Sequence, residues 1–265
     1  MKPETDWDRP ESVVWQWHPS ESSVIRPEHR VWFHHPSECK PVRGTSHLLM
    51  VASGGGVALV RLADKEVLFY TFAGGNPHSA ALLPDGNIVS ISSEGFFTVF
   101  AVPEKIAGTD VLNVRYPIVG GHGVVWEKEN QRLWVLGYTE LAAYRYNFDT
   151  QNPAMTKEFS IPVQGTPAEG GHDLYPVPGA RALFVTGRAT GIFDLSTRQF
   201  TLLREIPRIK SISLSPEGTF IVLSPVTQWW SPTVTFFNTP LSPLGTRTGA
   251  KFYKARWWVP NPFSE

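Results

Sequence analysis

Apolar residues along this chain come in short alternating runs broken by turn residues, and one layout recurs. HSAALL, a Pro-Asp-Gly turn and NIVSISS read as a hairpin led by His78, and HDLYPV, Pro-Gly-Ala and RALFVTG as another led by His172. Between them GGHGVVWEKENQRLWVLG, led by His122, opens with the same three letters as GGHDLYPVPGARALFVTG and closes on the same apolar strand. IKSISLSPEGTFIVLSP repeats the layout with Lys210 in the leading place, and CKPVRGTSHLLMVASGGG is a shorter version led by Lys40. YKARWWVP supplies a first strand led by Lys254 with no second strand after it. Alternation of period two between Gly, Pro, Asn and Asp clusters predicts antiparallel hairpins. No helical periodicity lasts beyond two turns.

The leading residues 40, 78, 122, 172, 210 and 254 are separated by 38, 44, 50, 38 and 44 residues. That is the period of a four-stranded propeller blade. The prediction is therefore an all-β, six-bladed β-propeller with four-stranded antiparallel blades, one domain over residues 1–265. Its last blade is expected to be shared between termini, with ESVVWQWHP near the start pairing with KARWWVP, because ring closure hides edge strands.

Composition narrows the function classes. The 24 basic and 24 acidic residues cancel, which removes the bulk electrostatic case for a nucleic acid or an anionic membrane as partner. A single cysteine, Cys39, excludes an internal disulfide framework, and it has no evident activating neighbour. No apolar stretch reads as a signal peptide or a membrane span, so a cytoplasmic location is expected. The expected partner is a small molecule.

In a propeller the first strand of each blade lines the central channel, so the leading residues converge. His78, His122 and His172 would form one arc of a ring and Lys40, Lys210 and Lys254 the other. Glu94, Tyr138, Arg188, Trp229 and Trp230 would crown it from the loops between second and third strands, with Arg256 and Trp257 beside Lys254. Imidazoles, whose ordinary pKa is about 6.5, suit proton transfer near neutrality, and ammonium groups suit an anionic or enolate oxygen. The tryptophans offer flat walls to a ring, a terpenoid or a sugar face. Repetition also copies polar channel residues that only satisfy neighbouring blades. A metal is not expected, since three lysines would repel a cation and no thiolate or carboxylate joins the histidines in the pattern. No cofactor motif is present: Gly54, Gly55 and Gly56 lack the lysine and helix of a phosphate loop.

NPHSAALLPDGNIV, GGHGVVWE, GGHDLYPVPGARALFVTG and FYKARWW resemble a family of uncharacterised propeller proteins of bacteria and fungi, over residues 36–260. In outline the chain is also similar to the fungal hetero-Diels-Alderases of tropolone-sesquiterpene biosynthesis. That resemblance implies a cofactor-independent pericyclase that dehydrates a hydroxymethyl tropolone to a quinone methide and joins it to a terpene alkene. Histidines would be the acid, Lys or Arg would hold the tropolonate, and tryptophans would align the partners. Two alternatives stand beside it: a lyase or hydrolase acting on uronate-containing sugars, and a non-catalytic binding scaffold.

Overall fold

The computed structural model describes residues 1–103, 108, 110–238, 243–261 and 263. Among them twenty strands form five four-stranded antiparallel sheets, each built from consecutive strands. Blade one holds β1 (Pro36–Val42), β2 (His47–Ala52), β3 (Gly56–Arg61) and β4 (Val67–Phe72), and blade two β5 (Pro77–Leu82), β6 (Ile88–Ser92), β7 (Phe96–Phe100) and β8 (Asn113–Pro117). Blade three holds β9 (Gly123–Glu127), β10 (Arg132–Leu136), β11 (Glu140–Tyr146) and β12 (Met155–Pro162). Blade four follows with β13 (Asp173–Pro176), β14 (Ala182–Thr186), β15 (Thr190–Asp194) and β16 (Phe200–Arg204), and blade five with β17 (Ser211–Leu214), β18 (Phe220–Leu223), β19 (Thr233–Phe237) and β20 (Leu244–Thr246). The hairpins fall where the alternation places them. The propeller has five blades, not six.

Cores lie between blades. Leu49, Val57 and Phe69 of blade one meet Ile88 and Phe100 of blade two. Ile91 and Phe97 then meet Trp126 and Val135 of blade three. Trp134 and Leu141 meet Leu183 and Phe193 of blade four, and Phe184 meets Ile212 and Val222 of blade five. Each such side chain contributes about 1.5–3 kcal/mol by leaving water. These clusters demand alternate strand residues on both sheet faces, which is why the first and second strands read as almost wholly apolar.

The fifth seam, between blades five and one, is closed differently. The expected closing blade is absent: residues 11–19 form no strand, and 254–260 add none to a sheet. Prolines set the N-terminal course instead, opening 3₁₀ turns at Pro10–Ser12, Pro19–Glu21 and Pro27–Phe33. Trp7 of this segment packs on Phe236 and Phe252 in the core of blade five. Trp15, Trp17, Ile25 and Phe33 pack on the face of blade one turned away from blade two, against Leu48, Met50, Val60 and Tyr70, and Trp15 Nε1 donates to Leu62 O at 3.1 Å. The segment is a strap across the seam rather than a strand within it.

The C-terminal segment enters the channel. Phe252 bridges to Ser231, and then the backbone NH groups of Ala255 and Trp257 donate to Ser211 Oγ (2.8 Å) and Ser213 Oγ (3.0 Å) of β17. Side-chain hydroxyls thus take the place that a neighbouring strand's carbonyls would occupy. Trp257 Nε1 reaches Thr219 O, Trp258 Nε1 reaches Thr45 O across the seam, and Phe263 O accepts from Lys128 NH on the opposite face. No helix among the described residues is long and apolar enough to cross a membrane.

Candidate functional site

Strand register decides which residues share a level in the channel. The NH groups of His122, His172 and Lys210 donate to Leu136 O, Thr186 O and Leu223 O, one step before the first paired residues of β9, β13 and β17. His78 holds the same place beside a bulge in β5, between Pro77 and Ser79. The same bulge in β1, between Pro36 and Glu38, makes Ser37 the blade-one counterpart. Lys40 therefore lies three residues deeper than its expected place, and Lys254 belongs to no blade. Of the six residues expected in one ring, four share a level: His78, His122, His172 and Lys210.

At that level the rings form a row. His78 and His122 stack with centroids 4.2 Å apart and planes 8° from parallel, and His172 meets His122 edge-on at 5.3 Å. Tyr253 stacks on the far side of His78 at 5.3 Å and Tyr138 on His122 at 5.1 Å. Gly120 permits the Tyr138 contact. It has φ +58° and a Cβ there would lie 2.3 Å from the tyrosine ring. His122 Nδ1 donates to Gly120 O at 2.9 Å; because a carbonyl only accepts, the neutral ring carries its proton there and leaves the Nε2 lone pair free. His78 Nδ1 is buried with no hydrogen-bonding partner among the described residues.

Lys210 Nζ lies 3.2 and 3.3 Å from the two ring nitrogens of His172, and it faces the rings of Trp229 and Tyr253 at 5.7 and 5.8 Å. Loss of hydration is the largest influence on every group here. It holds His78 down to about 2, His122 to about 4 and His172 to about 3, with Lys210 and Lys254 adding repulsion in each case. Lys210 itself is lowered to about 8 by burial and then by Lys254 and Arg208. The imidazoles are therefore neutral near pH 7, and the amine titrates just above it.

One layer below is an ion cluster. Asp173 Oδ1 accepts from Lys254 Nζ (3.0 Å) and Arg256 Nη2 (2.5 Å), and its Oδ2 accepts from Arg256 Nη1 (2.7 Å). Glu38 Oε1 accepts from Arg256 Nη2 at 2.5 Å, and its Oε2 lies 3.1 Å from Lys40 Nζ. Lys40 also donates to Ser79 Oγ, Ala80 O and Val124 O. Lys40, Lys254 and Arg256, all expected at the mouth, thus tie blades one to four and the C-terminal segment together. Sequence reasoning missed Glu38, Asp173 and Tyr253. The signal was adjacency: Asp173 follows His172, Glu38 stands two before Lys40, and Tyr253 precedes Lys254.

The remaining expectations separate by position. Tyr138 and Trp229 stand exposed over the row. Trp230 carries Lys251 over its ring at 5.2 Å, away from the histidines, and Trp257 is a packing residue of blade five. Arg188 is exposed with its Nε 3.8 Å from Glu169, and Glu94 is exposed on the β6–β7 turn. Burial, and then Glu38, push the Cys39 thiol up to about 12, so it is unreactive. Among the described residues no group of three His, Cys, Asp or Glu side chains is placed to hold a metal ion.

Fold and site together define a β-propeller with a basic, aromatic row of side chains at one mouth of a plugged channel. The chain belongs to DUF6528, a family of unknown function, which it matches over residues 6–265. No curated protein matches the sequence. Among solved structures it is similar to a protein from Lactobacillus plantarum at 17% identity, with a TM-score of 0.55 over 80% of this chain and 72% of that one. It is also similar to a putative 6-phosphogluconolactonase from Bacteroides fragilis at 13% identity, with a TM-score of 0.54 over 84% and 72%. At these identities the likeness is one of fold. Neither the family nor these two structures bears on the hetero-Diels-Alderases.

Proposed function

We propose that the row of His78, His122, His172 and Lys210 is the active site of an enzyme acting on a small, anionic, oxygen-rich molecule of the sugar-acid class, by proton transfer in a lyase or hydrolase reaction. The observation that carries this is Lys210: a largely buried cation that no carboxylate among the described residues pairs, set against three neutral imidazoles. An anion seated there would answer the lysine's charge. It would also relieve the lysines' repulsion of His122 and His172 and raise their basicity as substrate binds. His122 Nε2, with its tautomer fixed by Gly120, is the base. The name of the Bacteroides fragilis neighbour adds a sugar-acid lactone to the candidates.

Dehydration of a tropolone alcohol at neutral pH calls for a strong proton donor, which imidazoles held neutral do not supply, so the pericyclase reading is not carried forward.

Isothermal titration with galacturonate, gluconate, 6-phosphogluconate and glucono-lactone tests the proposal. Binding of at least one acid is expected, weakened tenfold or more in Lys210→Met and lost as pH rises through about 8, where the ammonium discharges. Absence of binding by any acidic sugar, or equal binding by Lys210→Met, overturns it.

A further inference from the structure

Two buried lysines of this channel have the same lowered basicity and opposite surroundings. Lys40, at about 8, spends its ammonium protons on Ser79 Oγ, Ala80 O and Val124 O, and it is neutralised by Glu38. Among the described residues Lys210 meets only the His172 ring, whose nitrogens lie at 3.2 and 3.3 Å and of which one can accept in the neutral form, with aromatic faces beside it. The channel carboxylates are already engaged, Asp173 by Lys254 and Arg256 and Glu38 by Arg256 and Lys40. The cations that face Lys210 are Lys254 and Arg208, the titratable neutrals His172 and Tyr253. An amine with no carboxylate partner among the described residues, walled by aromatic rings and beside an imidazole, can hold an anion as the ammonium and attack a carbonyl as the free amine.

We propose that Lys210 forms an imine with the carbonyl carbon of a 2-oxo acid or open-chain oxo-sugar acid, with His172 relaying a proton between nitrogen and oxygen of the adduct. This deepens the sugar-acid reading and rests on it for substrate class, though not for the reactivity of the amine. The free amine, its ammonium proton lost to solvent, adds to the carbonyl carbon and breaks the C=O π bond. His172 passes one proton from the nitrogen of the adduct to its oxygen, and a second proton from solvent lets that oxygen leave as water while the nitrogen lone pair closes the C=N bond. The protonated imine is then an electron sink for loss of a proton or of a bond at the neighbouring carbon, toward the His122 base. No redox change or co-reactant is involved. With burial holding the amine near 8, about a quarter is free base at pH 7.5, against roughly a thousandth of an ordinary lysine.

The test is reductive trapping on the native protein: glyoxylate with cyanoborohydride at pH 7.5, followed by peptide mass spectrometry. Lys210 is expected to acquire the carboxymethyl group at least tenfold faster than the exposed Lys128, Lys157 and Lys251. Its rate should reach half its maximum near pH 8, and Lys40 should stay unmodified. His172→Phe should slow the Lys210 reaction, and Lys251→Met should leave it unchanged. Modification spread over the exposed lysines with Lys210 bare overturns the proposal, as does Lys210 reacting no faster than they do. Trapping at Lys210 without binding of any sugar acid would retain the imine and discard the substrate class; sugar-acid binding with Lys210 unmodified would do the reverse.

Discussion

Asp173 serves two cations at once, Lys254 and Arg256, and is wholly buried. Breaking a buried pair from one side leaves charges that water cannot reach, at a cost of about 3–5 kcal/mol. Asp173→Asn is expected to lose that much in urea unfolding, or to fail to accumulate as folded protein. The histidines set a separate pH window. Their folded pKa values lie below the ordinary 6.5, so beneath that pH the unfolded chain binds protons that the native state refuses, and stability falls as pH falls. Each contributes a slope of about 1.4 kcal/mol per pH unit between about 6.5 and its folded value. Glu38 and Asp173, with folded values below the usual carboxylate range, add their loss only under about pH 4. Denaturant midpoints from pH 7 to 4.5 should therefore drop steadily, and His78→Gln should flatten the slope by about one histidine's share. At this scale the sequence was legible where a residue type repeats, as in Gly-Gly-His. It was opaque where charges answer one another across blades, because Glu38 and Asp173 share Lys254 and Arg256, more than 80 positions from either.

Hairpins are the elements this sequence writes most plainly, since a half-buried two-stranded unit needs alternation and turn residues within a few positions of each other. Register is written less plainly. The leading basic residue of CKPVRGTSHLLMVASGGG was matched by charge to His78, whereas the shared bulge makes Ser37 the true counterpart. A bulge adds one residue without changing the alternation around it, so composition cannot locate it. Contact between first strands is likewise invisible in sequence. Gly123 opens β9 with no side chain because Leu174 of β13 occupies the space; a Cβ would lie 2.5 Å from Leu174 Cβ and 2.9 Å from its backbone nitrogen. Gly123→Ala is expected to destabilise by about 1–3 kcal/mol through forced separation of blades three and four. A fall in calorimetric Tm reads this directly, and Leu174→Ala in the same chain should restore part of it.

Closure is a property of the whole molecule, and here the sequence misled. Four seams are made by adjoining blades, whose patterns repeat; the fifth is made by a strap and a plug, whose patterns do not. Aromatic alternation in ESVVWQWHP imitates a strand, but the side chains grip the face of blade one turned away from blade two while Trp7 holds blade five. Trp7→Ala should cost about 3–5 kcal/mol and expose the seam, seen as faster amide exchange in β19 and β1 than in β10. The plug has a temporal consequence. Lys254 and Arg256 follow all twenty described strands in the chain, so Glu38 and Asp173 receive these two cations from the last part of the described sequence to be made.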